Sequence, residues 1–223
     1  MAGVASRGVF VTLEGVDGCG KSTQVGVLAD ALEAAGVPCL RLREPGGTAI
    51  GEKVRAILLD PANDEMAAEC ELLLYEASRA QLVRQVVEPA LAAGKVVVCD
   101  RFCDSTYAYQ AGGRGLDRGL VRRANELGTC GVVPDRTVRL DMDPAAALAR
   151  ATSGGADRLE AAGLALQERV RAAYRELADA EPGRVHMVDA AGTPEEVFAR
   201  VVAELADLVP MLAAVTPEAP HVR

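Results

Sequence analysis

The sequence predicts an α/β fold: a doubly wound, parallel five-stranded sheet with helices on both faces and a short lid. Three observations carry that expectation. Gly15-Val16-Asp17-Gly18-Cys19-Gly20-Lys21-Ser22 fits G-x-x-x-x-G-K-[ST], a loop whose backbone amides cradle phosphate oxygens. Its flanks are right for that role, since an apolar strand signature, Gly8 to Glu14, precedes it. Helix-period residues Val25, Leu28, Leu32 and Ala35 follow, so a helix N-terminus is aimed at the anion. Beyond it, strand-like and helix-like segments alternate down the chain, the pattern of a parallel sheet with crossover helices.

Taken in order, Val37 to Leu42 reads as the second strand, ending in Arg43-Glu44-Pro45-Gly46-Gly47-Thr48. Polar, glycine-rich strand ends are where open α/β sheets bind ligands. A helix from about Ala49 to Leu59 carries Arg55, and a longer one spans about Glu65 to Ala92. That long helix is apolar around much of its circumference, which fits burial between layers or a subunit interface equally. Lys95 to Asp100 is a continuous β-branched run, the mark of a central strand buried on both faces. Its end, Asp100-Arg101-Phe102, returns to the ligand rim. Ser105 to Gln110 then leads through a glycine-rich stretch into a helix near Arg118 to Leu127. Thr137 to Asp141 is the fourth strand; Asp143 caps, and Pro144 opens, a short helix. Small residues at 152–156 break the pattern before an amphipathic helix to about Ala180. Val185 to Asp189 is the fifth strand. Thr193-Pro194-Glu195-Glu196 opens the last helix, to about Leu208. No repeat, linker or boundary divides the 223 residues, so a single domain is expected, with a lid at about 150–160 and a loose tail over 215–223.

Composition narrows the partners. The net charge is -8 and no run of Lys and Arg forms a basic stripe, which disfavours polynucleotide binding. No apolar run approaches a membrane span. Six scattered cysteines without a C-x-x-C pair, in a chain of this length without a signal peptide, favour reduced thiols and a cytoplasmic location. His186 and His221 cannot build a zinc site by themselves.

The phosphate loop leaves the fate of the nucleotide open. Neither a D-x-x-G switch segment nor an N-K-x-D base-reading motif stands in the expected places, which argues against a GTPase. The informative signal is arginine at ligand edges: Arg43, Arg55, Arg79, Arg101, and Arg150 or Arg158 beside the flexible stretch. Two phosphorylated substrates meeting end to end concentrate negative charge that planar guanidinium forks answer. A phosphate acceptor is already ionised, so positioning and charge stabilisation suffice without a strong general base.

With those residues in view, the chain resembles bacterial thymidylate kinase, an ATP-dependent nucleoside monophosphate kinase of the P-loop NTPase fold. The resemblance runs from about Val9 to Leu208. It rests on Gly15 to Thr23, Arg43 to Thr48, Leu72 to Leu82, Asp100-Arg101-Phe102, Ser105 to Gly115, Pro134-Asp135, Asp157 to Glu160 and Arg169 to Tyr174. It implies phosphorylation of dTMP by ATP. Gly15, Val16, Asp17, Gly18, Cys19, Gly20, Lys21, Ser22 and Thr23 would cradle ATP, with Mg2+ held by Ser22 and Asp100. Asp17 would also sit beside the acceptor's sugar or phosphate. Arg43, Glu44, Pro45, Arg55 and Arg101 would organise the monophosphate. Tyr75 would stack on the thymine and Arg79 hydrogen-bond it. Ser105, Thr106, Tyr109 and Gln110 would line the base and sugar pocket, and Tyr174 would close on the deoxyribose. Lys21, Arg101 and a lid arginine, Arg150 or Arg158, would carry catalysis, while 189–193 would run near the adenine. The resemblance also implies a homodimer.

Two departures stand out. Gly18 and Cys19 occupy a region where some members of the family carry a basic residue, so charge on the transferred group must come largely from an arginine-poor lid. Cys19 replaces a commoner Ala. A thiol at a helix N-terminus is prone to a lowered pKa, which marks Cys19 for oxidation or alkylation. Two rival readings remain: a deoxynucleoside kinase using the Glu44 carboxylate on a sugar hydroxyl, and a non-catalytic nucleotide switch.

Overall fold

The computed structural model describes residues 7–152 and 158–214. Five strands, β1 (Phe10–Glu14), β2 (Cys39–Arg43), β3 (Val96–Asp100), β4 (Arg136–Asp141) and β5 (Val185–Asp189), form one sheet in the order β2-β3-β1-β4-β5. Every pairing is parallel, with Leu13 opposite Asp100 and Glu14 opposite Arg139. The strand ends at Glu14, Arg43, Asp100 and Asp141 therefore share one rim.

Strand alternation explains why this sheet needs cover on both faces. Val11, Leu13, Val96 and Val98 enter one core with Leu28 and Leu32 of α1 (Lys21–Ala34) and with Val170 and Phe198, on α8 (Leu164–Ala180) and α9 (Pro194–Ala203). Phe10, Val97 and Cys99 point the other way, onto Leu82, Val83 and Val87. Neighbouring residues on one strand thus bury on opposite sides, as doubly wound sheets require.

The long helix is real but interrupted. α3 (Ala68–Leu82) passes through a π-helical stretch, Val83–Val87, into α4 (Glu88–Ala92). Pro89 has no N–H and its ring crowds the carbonyl four residues back, so the register widens just before it. Its inner side is buried, while Leu73 is 66% exposed.

The sequence reading missed one helix. Residues expected as a connector form α5 (Cys103–Thr106) and a π-helical continuation, Tyr107–Gly113, ahead of α6 (Arg118–Gly128). Gly112 and Gly113 disguise it, because they are there for packing rather than turning. A Cβ on Gly112 would lie 2.4 Å from the Cβ of Ala173, and one on Gly113 would lie 2.8 Å from Leu166 Cδ1. Only hydrogen lets this helix reach α8.

The expected caps are in place. Asp143 accepts from the amides of Ala145 and Ala146 ahead of α7 (Pro144–Ala151), and Thr193 with Glu196 closes a capping box on α9. α2 (Ala49–Leu59) is capped by Thr48. α8 starts after Gly163 rather than near 160, and α9 stops at Ala203, with turns continuing to Leu208. The expected tail at 215–223, and the part of the expected lid at 153–157, lie outside the described residues.

Candidate active site

The loop between β1 and α1 is shaped for an anion. Gly18 has φ 78°, and a Cβ there would fall 1.9 Å from the Ala147 carbonyl oxygen, so α7 closes tightly over it. Gly20 caps α1 in the left-handed region with no side-chain hydrogen bond, which leaves the first amides of the helix for a ligand. Val16 is fully buried and its carbonyl holds the Lys21 Nζ at 2.8 Å; the Gly15 carbonyl holds it at 3.2 Å. Ser22 Oγ donates to Asp100 Oδ2 at 2.5 Å.

A cavity of about 270 Å³ opens beside this loop. Asp17, Gly18, Lys21 and Ser22 form its loop side, and Asp100 and Arg101 its floor at the end of β3. Arg43, Glu44, Pro45 and Arg55 contribute from the end of β2 and from α2. Tyr75 of α3 and Ser105, Thr106, Tyr109 and Gln110 complete the wall, with Leu59, Leu159 and Glu160. Most of the residues singled out for a monophosphate site are therefore brought together around one space.

Arg101 is its most constrained member. Its φ of 71° puts a non-glycine residue in the left-handed region, a strain the surroundings must hold. Nη1 donates to the Gly15 carbonyl (3.1 Å) and Ser105 Oγ (3.0 Å). Nη2 donates to Asp17 Oδ1 (2.5 Å) and the Tyr109 hydroxyl (3.2 Å), with the guanidinium over the Tyr109 ring. Burial alone would lower its pKa; Tyr109 and Asp17 outweigh that and raise it. Asp17 shows the converse. Burial pushes its carboxyl up, but Arg101, Lys21 and hydrogen bonds from Tyr109 and Gln167 bring it below the ordinary value.

Two buried glutamates belong to the site, Glu14 behind the cavity and Glu44 on its wall. Glu14 accepts from the Phe102 amide (2.6 Å), Ser105 Oγ (2.5 Å) and the Tyr174 hydroxyl (2.6 Å); burial, then the nearby Asp104, raise its pKa. Glu44 Oε2 accepts from Arg79 Nε at 2.8 Å, while its buried Oε1 has no hydrogen-bond partner among the described residues. Burial pushes Glu44 up to about 7 even though Arg79 pulls it down.

Three expectations need correction. Arg79 is not on the cavity wall: it is 1% exposed and spent on Glu44, Glu76 and Asn125 behind it. Three polar partners and the Phe102 ring hold it there, so it is not presented to a base. Tyr174 is fully buried and bonded to Glu14 and Ser105, a core tyrosine rather than a cover for a sugar. Arg158 does not face the phosphate loop either. Its Nε donates to the Leu58 carbonyl at 2.8 Å and its Nη2 to Glu71, fixing the following Leu159 and Glu160 as cavity wall.

Arg150 lies on the other side of the loop. It lines one hollow with Gly18, Cys19, Gly20, Thr23 and Gly192, and a second with Asp141, Asp189 and Ala191. Cys19, expected to be open to reagents, is 2% exposed. Among the described residues no three His, Cys, Asp or Glu side chains converge as a metal site. The adjoining oxygens of Ser22 and Asp100 do suit a hydrated magnesium ion, which takes one or two protein oxygens and completes its shell with water and phosphate.

Sequence reasoning missed Glu14, Glu71 and Gln167. A carboxylate ending the otherwise buried β1 was the available signal for Glu14. Gln167 is a fully buried amide on α8, more than a hundred residues from the Asp17 it holds at 2.8 Å, and nothing local marks it.

Comparison with known proteins adds the family. The family model for thymidylate kinase matches residues 13–201. The thymidylate kinase of Solidesulfovibrio magneticus is 53% identical over 197 residues, covering 85% of this chain and 94% of that one. That of Deinococcus radiodurans is 48% identical over 203 residues, covering 91% and 98%. The crystal structure of thymidylate kinase from Ehrlichia chaffeensis superposes with a TM-score of 0.73 at 33% identity, covering 89% of this chain and 99% of that one.

Proposed function

The chain belongs to the thymidylate kinase family, and from that premise we propose how its residues divide the transfer of a phosphoryl group from ATP to dTMP. The reaction is the phosphorylation of dTMP to dTDP. The observation that carries the reading is the cavity beside the phosphate loop, whose lining includes Arg43, Arg55 and Arg101. Three arginines on one wall are more than an uncharged sugar hydroxyl calls for, which supports a phosphorylated acceptor over a deoxynucleoside. A switch without an acceptor has no use for the cavity.

In this division the amides of residues 15–23 and the start of α1 bind the ATP phosphates, and Lys21 supplies charge to the outer ones. Arg150 lines the hollows on the far side of the loop, which supports it as the lid arginine, with the adenine near 189–193. Arg43, Arg55 and Arg101 bind the monophosphate. Asp17 and Tyr109, cross-bonded to Arg101, keep its fork aimed across the cavity. Because the attacking phosphate oxygen is already ionised, no residue needs to remove its proton; the chain's contribution is alignment and neutralisation. Tyr75 forms the platform for the base, with Thr106 and Gln110 at its edge. Ser22 and Asp100 would hold Mg2+, which when bound offsets phosphate charge.

Two further proposals concern the whole molecule. The exposed Leu73 (66%) on α3 and Leu127 (79%) on α6, two helices packed together, support a homodimer through that face, readable by sedimentation. Six free thiols, and the absence among the described residues of any helix long and apolar enough to cross a membrane, support a cytoplasmic location.

A coupled ADP-release assay offering thymidine, dTMP, dUMP and dCMP tests the reading. Turnover with dTMP and none with thymidine is expected. Turnover with thymidine, or ATP binding without any ADP formed, would replace it by one of the rivals.

A further inference from the structure

We propose that Glu71, which does not line the cavity, is a specificity-determining residue: by fixing which end of the Gln110 amide faces the cavity, it makes the site select a base with an N–H donor at its pairing edge. This rests on the reading of the cavity as the dTMP site.

On α3, one helical turn before Tyr75, the Glu71 side chain is 1% exposed and surrounded by donors. Gln110 Nε2 donates to Oε1 at 2.8 Å; Arg114 donates from Nε at 3.2 Å and Nη2 at 3.0 Å; Arg158 Nη2 adds a further bond. Burial works against the charged form, but the bonds from Arg114, Gln110 and Arg158 overcome it and hold the carboxyl below its ordinary value. Glu71 is thus an ionised, acceptor-only group.

An amide offers two donors at one end and an acceptor at the other, and only the donor end can meet a carboxylate. Turning Gln110 over would press its oxygen against a buried anion. With Nε2 committed to Glu71, Gln110 has its carbonyl oxygen left for the cavity it lines. The neighbouring group, one turn back, is the Thr106 hydroxyl, 1% exposed and without a partner among the described residues. A hydroxyl can donate or accept, so it imposes no choice. The choice lies with Gln110 and behind it with Glu71. Thymine presents N3–H to an acceptor; cytosine presents a bare N3 lone pair, which would meet the Gln110 oxygen with no proton between them. Leaving such a buried pair unsatisfied is what lets polar sites discriminate strongly.

The test is Glu71→Gln. A neutral amide at this position can accept from Arg114 and still offer N–H to Gln110, so Gln110 is free to turn. The ratio of kcat/KM for dTMP over dCMP is expected to fall by about tenfold or more, with kcat/KM for dCMP rising in absolute terms. A merely structural role would lower both substrates together and leave the ratio unchanged, and that result overturns the proposal. Where the variant does not fold, the unaltered enzyme decides by NMR of the Gln110 side-chain amide, assigned by its absence in Gln110→Met. Its protons should be protected before dTMP is added and shift little afterwards. Protection that appears only with dTMP would mean the donor end faces the base, against the proposal. Failure of the underlying reading is distinguishable, since the unaltered enzyme would then turn over no dTMP at all.

Discussion

The two sides of the phosphate loop are built from different materials. On the acceptor side, wall and backing are side chain bonded to side chain: Asp17, Arg101, Tyr109 and Ser105 on the cavity, and Glu14 and Gln167 behind them, are linked by hydrogen bonds of 2.5–3.2 Å. On the donor side the hollow against the loop is lined largely by small residues, Gly18, Cys19, Gly20, Ala190 and Gly192, with Arg150, and the adjoining hollow adds Asp141, Asp143, Asp189 and Arg171. Backbone amides recognise phosphate in any nucleoside triphosphate, whereas a network of fixed side chains recognises one particular partner. On the proposed division of the site, selectivity would lie in the acceptor half and general phosphate affinity in the donor half.

Breaking the contrast takes one substitution. Arg101→Ala removes the guanidinium that joins Gly15, Asp17, Ser105 and Tyr109 inside the cavity. It is expected to lower kcat by about a thousandfold or more, the scale on which arginines act in phosphoryl transfer. ATP affinity, measured by calorimetry without acceptor, should change little. An equal loss of ATP affinity would show the two halves to be one.

The same contrast explains what the sequence could disclose. The donor half was legible because glycine spacing is a backbone requirement written directly in residue type, as at Gly18, where the Ala147 carbonyl leaves no room for a Cβ. The strands were legible because a sheet covered on both faces needs continuous apolar runs. In the acceptor half, spacing assigns a residue to a helix and a rim but not to the cavity wall or the layer behind it. Tyr75 and Arg79 are one turn apart on α3; the first lines the cavity and the second is locked behind it on Glu44 and Glu76. Arg158 was drawn toward the loop by its charge, yet buried Glu71 supplied a nearer partner. Glu71 and Gln167 act across distant segments, and no local pattern announces a partner so far along the chain.

Tyr174→Phe sharpens the distinction between wall and backing. It deletes the hydroxyl shared by Glu14 and Ser105, leaving a buried carboxylate short of one donor. A stability loss of about 1–3 kcal/mol is expected by urea unfolding. Discrimination between dTMP and its ribose counterpart should be unaltered, because the ring does not line the cavity. A marked gain in ribonucleotide use would put Tyr174 back at the sugar.

A smaller effect, dependent on pH, is expected at Glu44. Its folded-state pKa of about 7 lies above the ordinary glutamate value, so over that interval the folded chain holds a proton the unfolded chain releases. The associated stabilisation is complete below the unfolded carboxyl range and is lost as pH rises toward 7, after which it is flat. Urea midpoints of the unaltered protein should therefore fall relative to those of Glu44→Gln between about pH 4.5 and 7. Parallel curves across that window would mean that Arg79 keeps Glu44 ionised throughout.

The least effect is expected where the two halves meet, at Cys19. Its place at a helix N-terminus marks it for reactivity, but it is 2% exposed, packed against the loop it belongs to, with Sγ 3.8 Å from Lys21 Nζ. Access, as much as thiolate character, governs alkylation. Cys70 is exposed and should be labelled first by iodoacetamide, followed by mass spectrometry of the peptides. Cys19 should stay unmodified with or without ATP, and activity should persist after Cys70 has reacted. Labelling of Cys19 as fast as Cys70, suppressed by ATP, would mean that the loop opens without its ligand. The donor half would then be a site assembled by nucleotide rather than one already formed.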